Sequence, residues 1–247
     1  MSKVLLVTGG SAGIGAATVR LAARQGWRVA FSYRSSAAMA EALEAEVLAA
    51  GGEAKGFKAD AADEAQTIAL FEWIDSEFGR LDGVVTNAGI TGPTSSIENI
   101  TVEVLDSVLA INVRGVFLTV REAVKRMATD RGGLGGSIVN LSSVAASLGG
   151  PFDWVHYAAS KGAIDSFTIG ASKELAGRGI RVNAVRPGLI DTEIHAKAGL
   201  GDRLADEEEA EVTPPERRQS PPHESSFLAQ TIDHRRGLLR RTDRQVP

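Results

Sequence analysis

Four apolar residues and a glycine-rich turn, Val4-Leu5-Leu6-Val7-Thr8-Gly9-Gly10-Ser11-Ala12-Gly13-Ile14-Gly15, set the architecture expected of this chain. The run from Val4 to Thr8 is short and continuously apolar, as in a strand buried on both faces of a parallel sheet. A helix follows from about Ile14 to Gln25 and stops at Gly26. A strand, a glycine turn and a helix N-terminus in that order make an anion site. The main chain can approach a pyrophosphate closely, and the free N–H groups and the helix dipole hold its charge. The spacing is G-x-x-x-G-x-G, distinct from the commoner dinucleotide fingerprint G-x-G-x-x-G. Gly9, Ser11, Gly13, Ile14 and Gly15 are the candidate phosphate-binding residues.

Outward from this turn, strands and helices alternate. Trp27 to Tyr33 is the second strand, and Arg34-Ser35-Ser36 follows it with no carboxylate. In dinucleotide folds an acidic residue near this position binds the ribose 2'-hydroxyl of NAD, whereas an arginine suits the 2'-phosphate of NADP. Arg34 and Ser35 therefore favour NADP(H) over NAD(H). A helix from Ala37 to Ala50, a strand from Ala54 to Ala59 ending in Asp60-Ala61, and a helix from Glu64 to Phe78 come next. Asp60 and Ala61 lie where an adenine could rest. The strand Leu81 to Thr86 opens into Asn87-Ala88-Gly89, whose small residues leave room for a cofactor. Thr101 caps a long apolar helix reaching Met127 with Asn112 inside it, a polar group that needs hydrogen-bond partners. Gly135-Gly136 then begins a strand that delivers Ser142 and Ser143 to its C-terminal end.

Tyr157 and Lys161 are four positions apart in a helix-forming run, so both side chains leave one helix face. A phenol titrates near ~10, and an ammonium close to its oxygen in a water-poor site would lower that value enough for proton transfer near neutrality. His156 turns to a different face and reads as structural. Leu148, Gly149, Gly150, Pro151, Phe152 and Trp154 lie between Ser143 and Tyr157 and are expected to form one wall of a partly apolar substrate pocket.

Composition bounds the alternatives. The 247 residues carry a formal net charge of -4, with 43% apolar and 23% charged residues, so no basic field is expected to attract nucleic acid or acidic membrane. The absence of cysteine excludes disulfides, thiolate catalysis and thiolate metal sites; no metal site is expected. No apolar run approaches a membrane span, and Met1-Ser2-Lys3 leads straight into a strand without a signal-peptide pattern, so a cytoplasmic location is expected.

Six β-α alternations without an internal repeat give a single Rossmann-like, doubly wound parallel sheet with helices on both faces, over residues 1–205. The chain resembles a short-chain dehydrogenase/reductase. The resemblance rests on the Thr8 to Gly15 turn, Asp60, Asn87-Ala88-Gly89, Asn112, Ser143, Tyr157, Lys161, and Arg181-Val182-Asn183 leading into Pro187-Gly188, over about four fifths of the chain. It implies a nicotinamide-dependent oxidoreductase acting on a carbonyl/alcohol substrate. In that scheme Tyr157 exchanges a proton with the substrate oxygen, and Lys161 lowers its pKa and holds the nicotinamide ribose. Ser143, ahead of Ser142, steadies the oxygen, because the family's serine directly precedes a small apolar turn. Asn112 positions a water that connects Lys161 to solvent. Pro187, Gly188, Ile190 and Thr192 belong to the cover over the nicotinamide end. Assembly as a homo-oligomer, a dimer or a tetramer, is also implied. The competing expectation is a catalytically impaired nucleotide-binding sensor or scaffold on the same fold.

Residues 206–247 depart from this pattern. They hold five of the eight prolines, seven arginines and one of the 27 glycines, with Asp206-Glu207-Glu208-Glu209, Pro214-Pro215 and Pro221-Pro222. This composition reads as disorder. Two explanations stand: a partner-binding arm, or the family's ending read in a shifted frame, since codons for Gly237 to Thr242 read one base later can spell an apolar strand. As written, such an ending is expected to weaken assembly.

Overall fold

The computed structural model describes residues 2–190. Six strands, β1 (Val4–Val7), β2 (Arg28–Tyr33), β3 (Glu53–Lys58), β4 (Gly83–Thr86), β5 (Gly136–Leu141) and β6 (Ile180–Val185), form one sheet in the order β3-β2-β1-β4-β5-β6, with every pair parallel. The connections carry α1 (Gly13–Arg24), α2 (Ala37–Ala49), α3 (Glu64–Phe78), α4 (Val102–Leu109), α5 (Gly115–Met127), α6 (Ala145–Leu148) and α7 (Val155–Leu175). The doubly wound expectation is met, and strand ends agree with it to within about two residues.

Successive residues of a strand face opposite ways, and both faces of β1 are covered. Val4 and Leu6 join Leu70, Phe71 and Ile74 of α3, Val116 and Val120 of α5, and Ile164 of α7 in one core cluster. Val7 joins Val19 of α1, Phe31 of β2 and Leu43 and Val47 of α2 in the other. This explains why β1 has no polar alternation: both of its faces pack against apolar side chains. Asp63 caps α3 by accepting from the Gln66 N–H, and Gly79 ends it in the left-handed region at φ 72°.

The long helix expected from Thr101 to Met127 is interrupted. Thr101 does cap α4, accepting from the Val104 N–H, but Ala110–Arg114 forms a π-turn before α5 begins. The wider turn inserts one residue and brings Asn112 into reach of the loop after β4.

Strand order reverses between β1 and β4, and the loops at their C-terminal ends diverge there to leave a crevice. The tail from 206 onward lies outside the described residues.

Candidate functional site

The glycine turn is built as much from β4 as from itself. Thr8 Oγ1 accepts the Asn87 and Ala88 N–H groups at 3.0 and 3.1 Å, and Asn87 Nδ2 donates to the Thr8 and Gly9 carbonyls at 3.0 and 2.9 Å. Gly9 stands at φ 63°, a conformation that favours glycine. A Cβ on Gly15 would lie 2.3 Å from the Gly9 carbonyl oxygen and 2.6 Å from Asn87 Nδ2. Gly15 thus allows the turn to close on itself.

The crevice is a cleft of about 810 Å³ in which the turn residues Gly9, Ser11, Gly13 and Ile14 meet Arg34 and Ser35 at the end of β2. Asp60 and Ala61 after β3 and Asn87, Ala88 and Gly89 after β4 complete it. The first turn of α1 has no side-chain cap and no acidic residue, so its N–H groups remain available to an anion. Arg34 is exposed and pairs with no described carboxylate. One wall of the cleft thus offers free main-chain N–H groups to an anion, and another offers the Arg34 guanidinium.

Tyr157 and Lys161 share a face of α7, as their spacing requires. Lys161 is 5% exposed and donates to the Leu141 carbonyl oxygen at 2.6 Å, with its Nζ 5.7 Å from the centre of the Tyr157 ring. Burial pushes its ammonium down to about 8, while Asp165 acts to raise it. Burial pushes the Tyr157 phenol up, and a hydrogen bond with Ser143 opposes this. The phenolate would lose water on forming there.

Ser142 and Ser143 take different parts. The Ser142 hydroxyl is buried and donates to the Lys161 carbonyl at 3.2 Å. Ser143 Oγ accepts the Ala145 N–H at 3.1 Å, leaving its proton free toward the phenol.

Asn112 is wholly buried and occupied by protein. Its Oδ1 accepts the Ile90 N–H at 2.9 Å, and Nδ2 donates to the Ile90 carbonyl at 2.8 Å and to Ser160 Oγ at 3.0 Å. These bonds account for a polar residue in an apolar helix. A Cβ on Gly89 would stand 3.3 Å from Asn112 Oδ1 and 3.6 Å from Lys161 Nζ, so Gly89 is where the cleft reaches the lysine.

Sequence reasoning missed the buried ladder beneath the site. Thr86 Oγ1 donates to Asn140 Oδ1 at 2.9 Å, Asn140 Nδ2 to Thr168 Oγ1 at 2.9 Å, and Thr168 to the Ile164 carbonyl at 2.8 Å. It pins β4, β5 and α7 together. An asparagine inside the apolar strand Ile138 to Leu141 was the available signal.

Pro187, Gly188 and Ile190 follow β6 and do not line the cleft; Thr192 lies outside the described residues. In the substrate wall, Leu148 and Phe152 are exposed, and Phe152 has a left-handed backbone at φ 72°. His156 is buried at 3% exposure, consistent with a structural residue.

A family model described as short chain dehydrogenase matches residues 3–202. The chain belongs to the short-chain dehydrogenase family. An uncharacterized oxidoreductase of Escherichia coli K12, YgfF, is 51% identical over 81% of this chain and 81% of its own length. A short-chain dehydrogenase from Burkholderia cenocepacia in complex with NADP is 37% identical, with a TM-score of 0.73 over 79% of this chain and 80% of that one. A 3-ketoacyl-(acyl-carrier-protein) reductase from Brucella melitensis complexed with NADH is 31% identical, with a TM-score of 0.75 over 83% and 82%. Membership of this family makes the protein an NAD(P)-dependent oxidoreductase in the general sense. No helix among the described residues is long and apolar enough to cross a membrane.

Proposed function

We propose that this protein is an NADP-preferring oxidoreductase acting on a carbonyl/alcohol pair, with Tyr157 as the acid/base group. The observation that carries the reading is the convergence of Tyr157, Ser143 and the buried Lys161 ammonium beside a cleft lined by the glycine turn and Arg34. In this reading Gly9, Ser11, Gly13 and Ile14 hold the pyrophosphate and Gly15 keeps their turn closed. Arg34 and Ser35 hold the 2'-phosphate, and Asp60 and Ala61 the adenine. Asn87, Ala88 and Gly89 support the cofactor from the β4 side, Tyr157 and Lys161 the nicotinamide ribose, and Pro187, Gly188, Ile190 and Thr192 its nicotinamide end. When bound, the nicotinamide supplies or accepts the hydride.

The chain's own residues manage the proton and the charge. A phenol held above its ordinary value is protonated at neutral pH and ready to donate to a carbonyl oxygen. Ser143 donates a hydrogen bond to that oxygen as charge develops on it. The phenolate left behind gains from the nearby Lys161 cation, and Asn112 holds the Ile90 main chain and Ser160 in register around the pair.

The similar proteins crystallised with NADP and with NADH support nicotinamide binding, and Arg34 favours the former here. The 3-ketoacyl reductase among them adds ketoacyl compounds to the panel worth testing. The reading includes assembly as a dimer or tetramer, which sedimentation would measure.

The test is oxidation of NADPH and NADH against a carbonyl panel, with Tyr157→Phe alongside. The expected outcome is turnover lost by about 100- to 10,000-fold with cofactor binding kept. Retained turnover in Tyr157→Phe would remove the acid/base assignment. Tight binding without turnover on any substrate would favour the sensor reading.

A further inference from the structure

A buried ammonium is unstable as a cation unless something opposite in charge sustains it. Lys161 has one hydrogen bond to a neutral carbonyl and is almost wholly buried. Around it among the described residues, β5 offers the Leu141 carbonyl and the serines, the π-turn offers neutral Asn112, and the loop after β4 offers Gly89. On α7 itself the titratable groups within one turn of the lysine are the Tyr157 phenol on one side and Asp165 on the other, while His156, Lys173 and Glu174 stand farther along the helix.

Asp165 is built into two elements. Its side chain is 14% exposed, and Oδ2 accepts from Arg186 Nε at 3.0 Å and Nη2 at 2.9 Å. Oδ1 is buried and makes no hydrogen bond to a described group. An ordinary surface ion pair leaves its second oxygen to water; this one withholds it. Arg186 directly follows β6, and the next residue, Pro187, accepts the Val144 N–H at 3.1 Å, beside Ser143. The pair therefore fastens α7, which carries Tyr157 and Lys161, to the strand end that holds the Ser143 turn.

We propose that Asp165, held by Arg186, is the positioning residue that keeps Lys161 charged beside Tyr157. The inference rests on the proton-transfer reading above, and it assigns the control of that charge to a residue outside the catalytic set. Burial and the Asp165 carboxylate then act on the lysine in opposite directions, which is the balance that leaves it at about 8.

The test reads the lysine itself. The 13Cε signal of Lys161, assigned by its loss in Lys161→Arg, is titrated by NMR in the wild type, Asp165→Asn and Arg186→Gln, beside the pH profile of carbonyl reduction. Asp165→Asn should move the lysine titration and the alkaline limb of activity down by about one pH unit. Arg186→Gln removes a cation but keeps the carboxylate, so both should move up by a few tenths of a unit. Loss of packing alone would push both variants the same way. Shifts of equal sign, or none, overturn the proposal. If Asp165→Asn does not fold, the sign of the Arg186→Gln shift decides. A lysine that shifts as stated in a protein that reduces no carbonyl overturns the functional reading alone; Tyr157-dependent turnover with an unmoved lysine overturns this inference alone.

Discussion

Replacing Gly15 by alanine separates two reasons for a glycine in a nucleotide-binding turn. If glycine serves only to let a phosphate approach, the cofactor-free protein should not notice an added methyl group. In this structure that methyl would sit 2.3 Å from the Gly9 carbonyl oxygen, 2.6 Å from Asn87 Nδ2 and 3.0 Å from the Gly10 Cα. Two of these partners are main-chain atoms of the same closed turn, so about 1 Å of movement must come from backbone that has little room. Overpacking of this kind costs about 1 to 3 kcal/mol. Movement of Asn87 Nδ2 also loosens its bonds to the Thr8 and Gly9 carbonyls, at about 1 kcal/mol each. The sum is a loss of roughly 3 to 5 kcal/mol in the absence of any ligand. Urea unfolding of the cofactor-free variant measures it, and NADPH fluorescence measures binding in parallel. An unfolding free energy within about 0.5 kcal/mol of the wild type, with binding alone impaired, would refute the packing argument and return Gly15 to the phosphate.

Two further outcomes follow from the site and its neighbourhood. Arg34→Asp should reduce NADPH preference over NADH by about 10- to 100-fold, the value of one or two charge-assisted hydrogen bonds, measured as the ratio of kcat/KM for the two cofactors. An unchanged ratio would locate phosphate recognition elsewhere. His156 should make stability fall in mild acid. Burial lowers its pKa, with weak opposition from the Thr91 main chain, so the unfolded chain takes up the proton more readily than the folded one. The stability it contributes is complete above the ordinary imidazole range near ~6.5 and is lost as pH falls through its lower folded value. Urea midpoints between pH 5 and 7 should therefore decline less steeply in His156→Phe than in the wild type; parallel slopes would assign the acid sensitivity to other groups.

The alternation of apolar strands with capped helices, the glycine turn after Val7 and the arginine after Tyr33 are local signals, and each was readable from spacing and residue type. So was the shared helix face of Tyr157 and Lys161, because helical geometry forces it. What the folded chain alone decided is where each polar group spends its hydrogen bonds. Lys161 turns to Leu141, Asn112 to Ile90 and Ser160, and Thr86 to Asn140, over separations of 20 to 54 residues. Such partners are chosen by the crossing of strands and helices around a common core. A sequence pattern records that a buried asparagine or lysine must be satisfied, but it carries no trace of which distant carbonyl will do so.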